Sequence, residues 1–165
     1  KLNRMHKEWY RFEYEVYDSC SLLNTGDLAL FEAAEKATAN AYAPYSHFKV
    51  GAAARMENNE LVTGGNQENA AFPAGLCAEG VVLATASSKF PGLPVRSLAI
   101  TYQSGKVENN IRSISPCGIC RQSMQEHILR TGKPIRLIMG GKEGKIMVVE
   151  NAAFLLPFSF EFKLK

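Results

Sequence analysis

Long apolar runs are missing from this chain of 165 residues. Nowhere do the ~20 consecutive apolar residues of a membrane-spanning helix occur, and the opening residues are charged and aromatic rather than signal-like. Charge of one sign is scarce too. Nineteen Lys and Arg against 16 Asp and Glu leave a formal net charge of +3, with the basic residues scattered along the chain. A nucleic-acid-binding domain would gather them into a basic stripe. Neither a membrane nor a nucleic acid is therefore expected as a partner, and a cytoplasmic location is the default. Internal repeats, linkers and low-complexity segments are also lacking. The hydrophobic share of 46% and charged share of 21% suit one folded unit with a sizeable core.

The alternation of residues 8–18, with Phe12, Tyr14 and Val16 on one face, predicts a half-buried strand. Asn24, Thr25 and Asp27 carry helix-start chemistry for a helix to about Ala41, ended by Pro44. Phe48 to Arg55 and Leu61 to Asn66 predict a hairpin. Cys77 to Lys89 is apolar almost all round, which predicts a buried helix. A strand over Val95 to Tyr102 and a polar loop over 106–113 follow. Ser115-Pro116 reads as a helix entry, Ser as cap and Pro at the first helical position. That helix runs to about Thr131, with Gly132 just past its end. Ile135 to Met139 and Ile146 to Val149 read as strands, and Ala152 to Leu156 as a short helix stopped by Pro157. This order implies an α/β fold, a mixed sheet with helices on both faces.

Cysteine is sparse, and its placement is informative. Four cysteines in a reducing compartment are ligands or nucleophiles sooner than disulfide partners. Cys20 stands apart and reads as a small buried hydrophobe. Cys117 and Cys120 lie three apart at a helix start, so they share one helix face. Cys77 opens the other apolar helix. Unpaired N–H groups and the helix dipole favour thiolates at both places. Two helix starts aimed at one spot would gather three thiolates, a soft cluster suited to zinc. A closed structural site would need a fourth ligand, for which His47 or His127 is available. A redox pair would leave Cys77 without a role. Glu79 favours a catalytic site, because it falls two residues past Cys77 and can act on a water at an open metal position.

Cys77-Ala78-Glu79 followed by Pro116-Cys117-Gly118-Ile119-Cys120 matches the signature of zinc-dependent nucleobase deaminases. The chain further resembles the small homotetrameric cytidine deaminases. The segments that carry the likeness are residues 40–53, Asn66-Gln67-Glu68-Asn69-Ala70, Ser115 to Gln122, and Leu155 to Phe160. The resemblance covers about 25–160. It implies a three-layer α/β/α fold with a mixed five-stranded central sheet plus an extra N-terminal strand, divided into an extension over 1–24 and a catalytic domain over 25–165. It also implies one zinc per chain on Cys77, Cys117 and Cys120, with Glu79 moving protons during hydrolytic deamination of cytidine and 2′-deoxycytidine. Asn66 and Glu68 match positions that hold the ribose 3′-hydroxyl. Phe48 matches an aromatic lining the base pocket, and Ala78 one whose backbone fixes the pyrimidine. Phe72 and Phe160 match aromatics by which neighbouring subunits complete the pocket, so a homotetramer is implied. Arg121 and Gln122 match supporting positions.

Phe72 falls where the family often has Tyr, but the clearest departure from the pattern lies beside Glu79. Most three-thiolate relatives carry Arg directly after the Glu, where it bonds the sulfurs; here that residue is Gly80. Blasticidin S deaminases also lack that Arg but place one between the paired cysteines, where this chain has Ile119. Such a cytosine compound is the alternative substrate, and a catalytically weak or structural zinc protein is the alternative outside turnover.

Overall fold

The computed structural model describes residues 5–104 and 113–162. The predicted polar loop at 106–113 lies outside them except for its last residue. Among the described residues, six strands form one sheet: β1 (Glu15–Tyr17), β2 (Phe48–Met56), β3 (Leu61–Gly65), β4 (Val95–Ser104), β5 (Arg136–Gly140) and β6 (Ile146–Val149). Their order is β1-β6-β5-β4-β2-β3, with β4 and β5 parallel and every other pair antiparallel. The α-helices that accompany it among these residues are α1 (Thr25–Ala37), α2 (Ala78–Lys89) and α3 (Gly118–Thr131).

The period-two alternation of strand side chains sorts the core into two layers. Ala53, Ala99 and Ile138 face α1, where Leu30, Phe31 and Ala34 cover them. Ala52, Ala54, Leu98, Ile100 and Leu137 face the other way, toward Val82, Leu83 and Ala86 of α2 and Cys120 and Met124 of α3. Three layers result, α/β/α, as the resemblance implies. Small residues in β2 let α1 sit close. A side chain at Gly51 would collide with the Ala34 carbonyl and lie 2.7 Å from the Thr38 nitrogen.

The N-terminal strand is shorter and more open than its alternation suggests. Only Glu15–Tyr17 pairs, because its partner β6 spans four residues and offers three rows. Phe12, Tyr14 and Val16 remain 37%, 54% and 51% exposed. Phe12 does meet the Phe154 ring, 5.9 Å between centroids, and the Tyr10 hydroxyl donates to the Phe154 carbonyl at 2.7 Å. Arg136 ties the edge to the body, pairing with Glu15 at 3.4 Å, with the buried Asp27 at 2.9 Å and with Glu150. Cys20 packs half-buried beside the α1 layer, as expected of a small hydrophobe.

The third helix begins later than its sequence suggests. Cys117 occupies the N-cap, not Ser115, and Pro116 lies outside the helix. Gly132 closes it in the left-handed conformation at φ 69°, with its N–H bonded to the Ile128 carbonyl at 2.8 Å. The first helix also ends early, at Ala37, and a 3₁₀ turn over Thr38–Asn40 follows.

Overpacking typically costs about 1–3 kcal/mol, so Gly51→Ala should lower the thermal midpoint by about 5 °C. Gly80→Ala, where an added Cβ meets nothing within 4 Å, should not lower it. Thermal unfolding of both variants checks the contrast.

Candidate metal centre

Two cysteines hold the same unusual post. Cys77 caps α2 and Cys117 caps α3, both with extended backbone, and neither side chain bonds back onto its helix. Ser or Asp at an N-cap folds over to accept from the first-turn N–H groups. A thiol accepts weakly, so each sulfur stays available while its helix end contributes partial positive charge. Cys120 lies one turn into α3 and is buried, whereas Cys77 and Cys117 face solvent.

The Cys77 and Cys117 sulfurs are 3.7 Å apart, and those of Cys117 and Cys120 are 3.6 Å apart. Tetrahedral zinc with ~2.3 Å bonds to sulfur sets a sulfur–sulfur distance of about 3.8 Å. The three ligand atoms lie within 4.8 Å of one another, and this is the one such cluster of His, Cys, Asp and Glu among the described residues. The donor set therefore fits a zinc ion. His47 and His127 are not in it. The buried His127 ring instead accepts the Val95 N–H at 3.1 Å through Nε2, and burial followed by the nearby Arg130 lowers its pKa.

The thiols are unequal in the absence of a cation. Burial, then the neighbouring sulfur and Glu79, pushes Cys77 up to about 11. Burial and the Glu79 charge push Cys120 up as well. Burial also opposes ionisation of Cys117, but N–H groups of Cys120 and Ile119 and both neighbouring thiols pull it below the ordinary range. A bound dication removes this inequality, since a coordinating thiol is deprotonated outright.

Glu79 is 4% exposed and sits against this cluster. Burial raises its pKa, while its own backbone N–H and a hydrogen bond with the Cys120 thiol pull the other way. On a regular helix, residues two apart would diverge. Cys77 is at the extended cap, so the carboxyl comes up to the sulfurs instead. Ala78 beside it is fully buried.

A second group gathers around the start of β2. Asn66 accepts the Val50 N–H at 2.8 Å and donates to the Phe48 carbonyl at 3.0 Å. Glu68 accepts the Tyr45 N–H at 2.9 Å, the Ser46 N–H at 3.3 Å and the Ser46 hydroxyl, and the hydroxyl bond foremost keeps its pKa low. Phe48 stacks on Tyr102, centroids 4.9 Å apart. Gln67 and Leu76 exchange backbone hydrogen bonds of 2.8 Å in both directions, so the Asn66–Glu68 segment is fastened to the residue before Cys77. Tyr102 and Ser46 were not singled out in the sequence. Tyr102 lies across from Val50, two rows from Phe48 and on the same face, in the β2–β4 register, and strand pairing is the signal that finds it.

Phe72 and Phe160 join neither group within one chain, being 90% and 75% exposed. Arg121 directs its hydrogen bonds to carbonyls rather than to the sulfurs. Its guanidinium donates to the Pro116 carbonyl at 2.9 Å and the Leu155 carbonyl at 3.0 Å.

Residues 25–131 match the family described as the cytidine and deoxycytidylate deaminase zinc-binding region. The chain belongs to this deaminase family. A cytidine deaminase of Mycobacterium tuberculosis is 42% identical over 94 residues, which cover 57% of this chain and 65% of that protein. The match thus spans just under two thirds of that relative. A cytidine deaminase of Halalkalibacterium halodurans is 34% identical over 131 residues, 79% of this chain and 91% of that protein. The crystal structure of cytidine deaminase from Burkholderia pseudomallei superposes with a TM-score of 0.68 at 35% identity, covering 80% of this chain and 97% of that one. A zinc-binding deaminase fold agrees with the sulfur geometry.

Metal analysis of Cys120→Ser should give well under one zinc per chain, since one of three donors becomes a poorer ligand. Full zinc occupancy in that variant would remove Cys120 from the ligand set.

Proposed function

We propose that this chain hydrolyses the amino group of cytidine and 2′-deoxycytidine, releasing ammonia and uridine or 2′-deoxyuridine. One observation carries the reading: a buried Glu79 carboxyl lies against three sulfurs spaced for zinc, at the starts of two helices. When bound, zinc supplies a Lewis acid that brings the pKa of a water toward neutrality. Glu79 then moves both protons. Its carboxylate accepts the first from the attacking water and delivers it to ring N3, which makes C4 electrophilic. The second passes from the same oxygen through Glu79 to the leaving amino group as the C4–N bond breaks. A carboxyl whose burial raises its proton affinity suits this shuttle.

Asn66 and Glu68 are assigned to the ribose 3′-hydroxyl. Each keeps spare capacity after bracing the 45–50 segment: the Asn66 amide has a second N–H, and the Glu68 carboxylate has unused lone pairs. Phe48 is assigned to the base and Ala78, through its backbone, to the pyrimidine edge. Phe72 and Phe160 are assigned to pockets of adjoining subunits in a homotetramer, because rings so exposed in one chain call for a covering partner. The catalytic unit is taken as 25–165 with 1–24 as an extension, acting in pyrimidine salvage in the cytoplasm. No described helix is long and apolar enough to cross a membrane.

The direct test is loss of cytidine absorbance on adding purified protein, abolished by a zinc chelator and restored by zinc. Turnover of blasticidin S with none of cytidine would replace this reading, and the absence of Arg at Gly80 is the feature that keeps it in the assay. Glu79→Gln should retain zinc and the thermal midpoint while losing ~10²–10⁴-fold in kcat. Near-normal kcat in that variant would assign the proton transfer to another group.

A further inference from the structure

The C-terminal segment after Pro157 is held by one face of α3. Gln122 and Gln125 are three apart on that helix and so share a face. The Gln122 amide grips both backbone groups of Phe160: its Nε2 donates to the carbonyl at 2.8 Å, and its Oε1 accepts the N–H at 3.2 Å. Gln125 donates to the Glu161 carboxylate at 3.1 Å, and the Ser159 hydroxyl reaches the same carboxylate at 3.1 Å. Arg121 holds Leu155 at the near end of the segment. A side-chain amide satisfying the donor and acceptor of one residue imitates a strand partner, and it fixes both where that residue lies and which way its ring leaves the backbone.

The segment needs holding. Phe158 sits at φ 60°, the left-handed region that a bulky residue occupies only where its surroundings hold it. Phe158 and Phe160 bury little within the chain, with exposures of 101% and 75%, so their own packing does not anchor the backbone. Polar contacts from α3 do. The helix that presents Cys120 presents Gln122 two residues later, and the clamp is therefore built on the first turns of the metal-binding helix.

We propose that Gln122 is a positioning residue for substrate binding: it acts through Phe160, setting the ring's place for the pocket that receives it. This rests on the deaminase reading and on Phe160 entering a pocket. Loss of the amide should then weaken substrate capture and leave proton transfer at Glu79 alone. A residue that merely stabilised α3 would lower zinc content, thermal midpoint and kcat together.

The experiment compares wild type, Gln122→Met and Gln122→Glu as zinc-loaded full chains. Met keeps the length and removes both bonds; Glu keeps the acceptor and serves if the Met variant does not fold. Hydrogen exchange is followed on the peptide over 157–162, and cytidine kinetics are measured alongside. Gln122→Met should speed exchange of the Phe160 amide and raise KM, each by about tenfold for two lost neutral hydrogen bonds. Its kcat should stay within about twofold, with one zinc per chain. Gln122→Glu should exchange more slowly than Gln122→Met. In Phe160→Ala the KM rise should already be present, and adding Gln122→Met should raise it no further. Unchanged exchange would overturn the clamp, and multiplying KM effects in the double variant would overturn its action through Phe160. If wild type fails on cytidine, the deaminase reading falls and takes the affinity claim with it, while the exchange comparison still decides the clamp.

Discussion

Everything at the metal centre depends on β4 and β5 running parallel. A parallel pair cannot be closed by a tight turn and requires a crossover, which here is α3. Each of these strands is preceded by a helix packed on the same face of the sheet, α2 before β4 and α3 before β5. A helix that leads into a strand through a short return runs opposite to it. Two such helices before parallel strands therefore begin at the same end of the sheet. Cys77 and Cys117, as the caps of those two helices, are brought together by topology, though they stand 40 residues apart in the chain. An antiparallel β4–β5 pair would place them at opposite ends.

Burial then divides the labour within that arrangement. The cap positions lie at the rim, so Cys77 and Cys117 keep access to solvent. Cys120 and Glu79 point inward, and the fully buried Ala78 closes the space between. The same apolar surroundings that raise the proton affinity of Glu79 would penalise three thiolates, unless a cation pairs with them. The residues proposed to bind substrate sit on a separate support. Asn66 and Glu68 brace the backbone of 45–50, so the residues assigned to a ribose also shape the loop that carries Phe48.

Much of this was legible in the sequence, and the reasons differ by element. The apolar run of α2 and the nearly continuous burial of β2 and β4, central strands covered on both faces, follow from packing, and each lies close to its predicted span. The cysteine and glutamate spacing pointed to the metal cluster because few other uses suit three thiols at helix starts. The start of α3 was misplaced, since Ser115-Pro116 carries good entry chemistry but the extended backbone continues to Cys117. Local propensity cannot see that sulfur convergence places the cap two residues later. The N-terminal segment misled for a similar reason. Its alternating aromatics look half-buried, yet edge pairing with a short β6 gives it few partners. Hydrogen bonds between α3 and the C-terminal segment were invisible, because a Gln in a helix reads as surface until the segment it grips is placed.

The absence of Arg after Glu79 can now be weighed in physical terms. Three thiolates and one zinc carry a net charge of −1 and Glu79 adds another, so the cluster needs a positive field. Arg121, adjacent to Cys120, points its hydrogen bonds at two carbonyls, Pro116 and Leu155, rather than at the sulfurs. Space does not explain the glycine either, because an added Cβ at Gly80 meets nothing within 4 Å. Two helix starts remain, and their unpaired N–H groups carry partial positive charge. Against burial, the Cys120 N–H, the Cys120 and Cys77 thiols and the Ile119 N–H hold the Cys117 pKa below the usual thiol range. Cys77 is pushed the other way, by burial first and then by the Cys117 thiol and the Glu79 charge. The two helix starts thus bring a positive field to the sulfurs directly, with Gly80 in the first turn of α2.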